Sequence, residues 1–212
     1  QLVSLMAATP APTRSGRVVT GCVADDWHEM GMLMLSLFLR RQGWDVVYLG
    51  QAVGLERLEE ALQRIQPDGV VLSASTFGTI ANLPAAAEVV ERTGSGRTWF
   101  AFGGALFPHL PGLAERIPGI YVGDSLPGAV QQIDGLLARR LQPRPNAPFH
   151  TPDELEAARH AVRVRSLAIE ANLALLLEES GAGLSPEAAN ETAHELVTAV
   201  LAALQFEMPE LL

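Results

Sequence analysis

From residue 17 to about residue 140, short and continuously apolar runs alternate with longer amphipathic stretches. That alternation narrows the fold more than any other feature of the chain. Each run is too short for a core helix and lacks the alternation of a sheet with one wet face, so it reads as a strand covered on both sides. The pattern predicts strands over Arg17–Val23, Asp45–Leu49, Val70–Ser73, Thr98–Phe102 and Ile120–Val122. Between them it predicts helices over Met30–Arg41, Leu55–Ile65, about Leu83–Arg92 and about Pro127–Arg140, with Gly43 closing the first. Leu55, Leu58, Leu62 and Ile65 fall on one helical face. Interleaved strands and helices in this order predict an α/β fold: a flavodoxin-like, doubly wound, five-stranded parallel sheet, followed by a C-terminal pair of α-helices. The ligand crevice of such a sheet lies beyond the strand C-termini, where loops 24–31, 73–79, 103–109 and 123–126 converge.

The flanks read differently. Residues 1–16 look like the end of a truncated helix (Leu2, Leu5, Met6) plus a Pro/Ser/Gly linker, residues 17–141 form the sheet domain, and residues 142–150 are a second linker holding three prolines. Residues 151–212 form a helical segment. Its first helix opens on a capping box at Thr151-Pro152-Asp153-Glu154, and Gly181 stops it. Leu155, Ala158, Val162, Ile169, Leu173 and Leu176 recur along it at helical spacing. The second helix opens at Ser185-Pro186-Glu187, with Leu196, Val200, Leu201 and Leu204 as its expected apolar face. Two helices cannot bury such faces alone, so they are expected to pack on the sheet domain, on a ligand or on a second subunit, with a homodimer or a partner output domain as the expected assembly.

Composition removes several classes of function. All 15 basic residues are arginines. Lysine chemistry, from Schiff bases to the Walker loop, is therefore absent. A single cysteine, Cys22, excludes an internal disulfide and a thiolate-cluster metal site; in its apolar strand it reads as a packing residue. The net charge of −9 is uneven: 12 Arg face 13 Asp and Glu in residues 1–150, but only 3 face 11 in residues 151–212. So acidic a C-terminal part speaks against nucleic-acid binding by this chain. The best apolar run, Met30 to Leu39, is about half of the ~20 residues a membrane helix needs. With Gln first and no leader pattern, the chain reads as a trimmed piece of a cytoplasmic protein.

The chemistry sits after the first strand, in Asp26-Trp27-His28-Glu29-Met30-Gly31. Asp26-x-His28-x-x-Gly31 resembles the signature of cobalamin-binding domains that hold the cofactor with its own base off cobalt and a histidine on it. Ser73 stands where that family has its Ser-x-Leu motif, and Gly103-Gly104 where it has Gly-Gly, so three ordered motifs fall at successive strand ends. The resemblance implies His28 as the metal ligand and Asp26 as the acceptor that orients it. It implies Thr79 as the hydroxyl completing a relay. Ser73, Gly103, Gly104 and Gly31 are then small residues that let the nucleotide tail and the ring approach.

Two departures shift the reading. The family leucine is Ser75 here, which alters the tail contacts. Trp27, Glu29, Met30, Met32 and Leu33, with Arg41-x-Gly43-Trp44-Asp45-Val46-x-x-Leu49-Gly50, make the chain more similar to sensory cobalamin modules than to methyltransferase carriers. Those modules include light-dependent transcription regulators and photocobilins, which pair cobalamin with a bilin. The implied function is a light-sensing module rather than an enzyme, loaded with adenosylcobalamin or methylcobalamin. A photocobilin would also hold biliverdin, with Arg159 and Arg163 forking its propionates. The plain alternative for these arginines, with Arg165, is pairing along the helix with Glu154, Glu156 and Glu170. His109 follows Gly103-Gly104 and is expected near the crevice mouth. The Met30, Met32 and Met34 cluster is expected in the core. A corrinoid methyl carrier is the competing function, with Asp26, His28 and Thr79 handling protons, and a domain that has lost cobalamin is a third.

Overall fold

The computed structural model describes residues 8–110, 112–139, 152–179 and 184–208. The chain divides into two compact units, Gln1–Pro148 and Phe149–Leu212. The linker expected at 142–150, the helix remnant at Leu2, Leu5 and Met6, Thr151 of the capping box and the stop at Gly181 lie outside the described residues.

The first unit holds strands β1 (Arg17–Cys22), β2 (Asp45–Tyr48), β3 (Gly69–Ser73), β4 (Trp99–Gly103) and β5 (Ile120–Tyr121). Its helices are α1 (Met30–Arg41), α2 (Leu55–Ile65), a single turn α3 (Phe77–Ile80), α4 (Leu83–Gly94) and α5 (Leu126–Arg139). The strands form one parallel sheet in the order β2-β1-β3-β4-β5. This is the doubly wound sheet that the apolar alternation predicts. Turn α3 is the element that the pattern misses; four residues are too few to show a period.

On one face of the sheet, Val18 and Cys22 of β1, Val71 of β3 and Ala101 of β4 pack with Leu35 and Leu39 of α1 and Ile133 and Leu137 of α5. Helices α2 and α4 pack on each other. The run Val18–Cys22 is buried throughout, as a central strand requires. One polar pair is enclosed with the core: the Thr20 and Ser36 hydroxyls lie 2.7 Å apart, and Ser36 also donates to the Met32 carbonyl, so neither is left unpaired. The end of the first linker is clasped to this unit. The Arg14 guanidinium lies over the Trp44 ring and bonds Asp134, which also accepts from the Trp44 indole.

The second unit consists of α6 (Asp153–Val164), α7 (Ser166–Glu179) and α8 (Pro186–Phe206), with α8 packed on both others. The first expected helix is thus divided at Arg165, whose backbone departs from helical geometry. Ser185 caps α8 by accepting from the Ala188 amide. The buried stripe of α8 is Ala189, Ala193, Val197 and Ala202 rather than the leucines picked out from the sequence; Leu196 is exposed. Among the described residues no helix is long and apolar enough to cross a membrane.

Candidate functional site

At the C-terminal end of the sheet the loops after β1, β3, β4 and β5 surround a cleft of about 680 Å³. Parallel strands in register bring their last residues side by side: Cys22 beside Ser73, and Ser73 beside Gly103. A thiol, a hydroxyl and a bare backbone therefore stand in a row where larger side chains would fill the space. Val71, Ser73 and Gly103 reach the cleft from the sheet, Met32 and Leu35 from α1, and Leu126 and Ala129 from α5. Gly104 belongs to the same construction: a Cβ there would overlap the Ala74 carbonyl oxygen.

His28 sits at the mouth. Its side chain is 65% exposed, while the side chain of Asp26 is wholly buried. Asp26 Oδ1 accepts from the His28 backbone amide at 3.0 Å and lies 2.9 Å from His28 Nδ1. A neutral imidazole donating its Nδ1 proton to that carboxylate keeps its Nε2 lone pair for another partner. Asp26 itself is set by the chain on either side of it: its amide donates to Val23 and its carbonyl accepts from Ala52. The left-handed backbone of Asp25 (φ 65°) makes the sharp turn after the strand. The N-cap of α1 is Glu29, so Asp26 does not cap that helix.

His28, Gly31, Ser73, Ser75, Gly103 and Gly104 all line the cleft, and Asp26 lies behind His28. Thr79 does not line it. Its hydroxyl closes turn α3, accepting from the Ser75 and Thr76 amides, and Asp26 Oδ2 stays buried without a hydrogen-bond partner. In this structure the relay from Asp26 to Thr79 is therefore not formed, because the threonine is committed to a capping box. His109 is exposed, and Pro108 beside it reaches the cleft instead. The methionines split: Met32 is core and cleft wall, while Met30 is 61% exposed at the mouth. Arg159 and Arg163 lie on α6 in the second unit, where Arg159 pairs with Glu156 at 3.0 Å and Arg163 approaches His160. The plain reading of Arg159 is thus realised.

Sequence patterns alone do not reveal two tyrosines beside the site. Tyr48 donates to Glu29 at 2.9 Å, and burial first, then that hydrogen bond, pushes its phenol above the usual range. Tyr121 donates to Asp124 on the β5 loop and is shifted the same way for the same reasons. Burial pushes the Cys22 thiol up to about 11, and the charges of Asp26 and Glu29 add to the rise. Cys22 is thus a protonated packing residue, not a nucleophile.

The chain is similar to known proteins in sequence and in fold. Residues 16–125, just over half of the chain, match the B12 binding domain. The HTH-type transcriptional repressor CarA of Myxococcus xanthus is 39% identical over 67 residues, which are 32% of this chain and 23% of the repressor. CarH of the same organism is 42% identical over 73 residues, 34% of this chain and 24% of that one. The chain thus spans about a quarter of the length of these relatives. Dimethylamine corrinoid protein 1 of Methanosarcina acetivorans is 30% identical over 90 residues, 42% of this chain and 41% of that protein. Among solved structures, the fold is shared with a Methanosarcina barkeri monomethylamine corrinoid protein (TM-score 0.54, 18% identity, 64% and 63% of the two chains). It is shared too with a cobalamin-binding protein from Desulfitobacterium hafniense (TM-score 0.51, 16% identity, 59% of each chain). The chain belongs to the B12-binding domain family.

Proposed function

We propose that this chain is a cobalamin-binding light-sensing module in which the His28 imidazole is the lower axial ligand of cobalt, with adenosylcobalamin or methylcobalamin as the bound form. The observation that carries the reading is an outward-facing imidazole whose Nδ1 is held by a carboxylate with no exposure of its own. That is the arrangement by which proteins orient a metal-bound histidine and raise its basicity. The cleft fits the group. Ser73 Oγ is buried without a partner at its floor, and Cβ atoms added at Gly31 or Gly123 would meet nothing within 4 Å. Its volume falls within the ~300–1,000 Å³ of ligand pockets, and its walls are largely apolar.

Cobalamin, when bound, supplies a cobalt–carbon bond that light breaks. Asp26 holds His28 in one tautomer, Ser73 and the glycines admit the tail, and Trp27 and Met30 present apolar surface at the mouth. The responding element in this reading is the packing of the C-terminal helices or of a second subunit, a two-state interface biased by the ligand. Similarity to two transcriptional repressors supports a regulatory, non-enzymatic role. Arg159 and Arg163 are the residues assigned to a biliverdin propionate, and Arg159 would exchange Glu156 for it.

The test is an absorption spectrum of purified protein supplied with each cobalamin, with and without biliverdin, in the dark and after illumination. Corrinoid bands that change with light are expected, and His28→Ala should abolish the wild-type spectrum. Unchanged binding and photochemistry in His28→Ala would sink the assignment. A methyl-carrier reading is favoured by the similarity to Dimethylamine corrinoid protein 1. Turnover of a methyl donor with a partner enzyme, without light dependence, would select it.

A further inference from the structure

We infer that Tyr48 and Glu29 form a latch that positions the His28 loop, a role that rests on the assignment of His28 to cobalt. Trp27 and His28 are an exposed dipeptide hung between two anchors. On one side Asp26 is buried and bonded to the imidazole. On the other, Glu29 sits at the N-cap of α1, where a short polar side chain would ordinarily bond the first helical amides. It makes no such bond. Its carboxylate instead accepts from the Tyr48 hydroxyl at 2.9 Å. Tyr48 ends β2 in register with Thr20 of β1, and its ring is half-buried against Leu33 and Leu37 of α1. The far end of the loop, where the Glu29 carbonyl already accepts from the Leu33 amide at 2.8 Å, is thereby tied to β2 through its side chain as well, by one charge-assisted hydrogen bond.

An imidazole with only the Asp26 anchor keeps its tautomer but swings with the loop. With both anchors its lone pair has one direction, and ligation costs less ordering. Neither residue hydrogen-bonds the imidazole, and Tyr48 does not line the cleft, although Glu29 does; they act through the position of the loop.

The test uses the full chain labelled with ¹⁵N-histidine, loaded with cobalamin and photolysed to cob(II)alamin. Electron paramagnetic resonance then reads the axial nitrogen directly. Wild type should show coupling to one labelled nitrogen that His28→Ala lacks. Tyr48→Phe and Glu29→Ala should still bind cobalamin but show a reduced histidine-coupled fraction and a cobalamin release faster by roughly fivefold. Glu29→Gln, whose amide oxygen still accepts from the phenol, should restore most of the signal. The double variant Tyr48→Phe/Glu29→Ala should be no worse than either single one. Full histidine coupling and unchanged release in both single variants, or additive losses in the double one, overturn the latch while leaving the His28 assignment standing. Absence of histidine coupling in wild type overturns that assignment, and the latch with it. Glu29→Ala keeps the Tyr48 ring packed, so the test survives if Tyr48→Phe fails to fold.

Discussion

In the sheet unit the interior is made of large side chains: Phe102, Leu39, Leu58, Leu72, Ile80 and Ile133 are buried. In the helical unit it is made mostly of alanine, with Ala174, Ala189, Ala193, Ala199, Ala202 and Ala203 inside while Leu167, Leu175, Leu176 and Leu196 are exposed. The contrast follows from geometry. A sheet with helices on both faces leaves wide layers that bulky residues fill, whereas helices that cross closely need small residues at the contact. A leucine-rich helix therefore does not announce its inner face, and α7, apolar on nearly all sides, announces none.

The two units can be watched separately, because Trp27, Trp44 and Trp99 all lie in the first and the second has no tryptophan or tyrosine. The largest expected effect is Gly104→Ala. Its Cβ meets the backbone of Ala74, which no rotamer change relieves, so urea unfolding followed by tryptophan fluorescence should lose about 3 kcal/mol. Gly123→Ala, where a Cβ meets open space but φ is 88°, should lose about 1 kcal/mol. Equal losses at the two glycines would break the distinction between a clash and a strained backbone.

Alkali should separate the units next. Below about pH 9 the Cys22 thiol is protonated in both folded and unfolded chains; between there and 11 only the unfolded chain releases its proton. Stability therefore falls as pH rises through that window, by about 2 kcal/mol at its top, in the sheet unit alone. Cys22→Ala should remove that share of the slope in fluorescence-detected unfolding and leave the share of the raised Tyr48 and Tyr121 phenols.

In the helical unit, Ala193→Leu should cost about 2 kcal/mol by circular dichroism, since it overfills the contact of α8. Leu167→Gln, at a residue 82% exposed, should stay within about 0.5 kcal/mol. If the leucine change proves the more damaging, alanine packing is not what holds these helices together.

The parallel sheet was legible because a doubly covered strand has a distinct composition: Val18–Cys22 and Val70–Leu72 have no polar face to confuse with anything else. The residues of the cleft were legible as well, since strand ends in a parallel sheet must fall side by side. Thr79 shows the limit. The family resemblance assigned its hydroxyl to a relay with Asp26, but a four-residue turn with its own capping box turned it to local work. Tyr48 shows the complement: it lies 19 positions from Glu29, and nothing in either neighbourhood marks the pair.

By itself the sequence determined the order of the five strands and the long helices between them, consequences of short-range periodicity; the row of small residues at the strand ends and the Asp26–His28 pairing were legible through the motifs that carry the family resemblance. The tertiary structure alone decided which face of each C-terminal helix is inside, what Thr79 bonds and where Glu29 is tied. Those contacts join residues that only packing brings together, and the energy that selects one partner over another lies in the fit of the surfaces rather than in either segment.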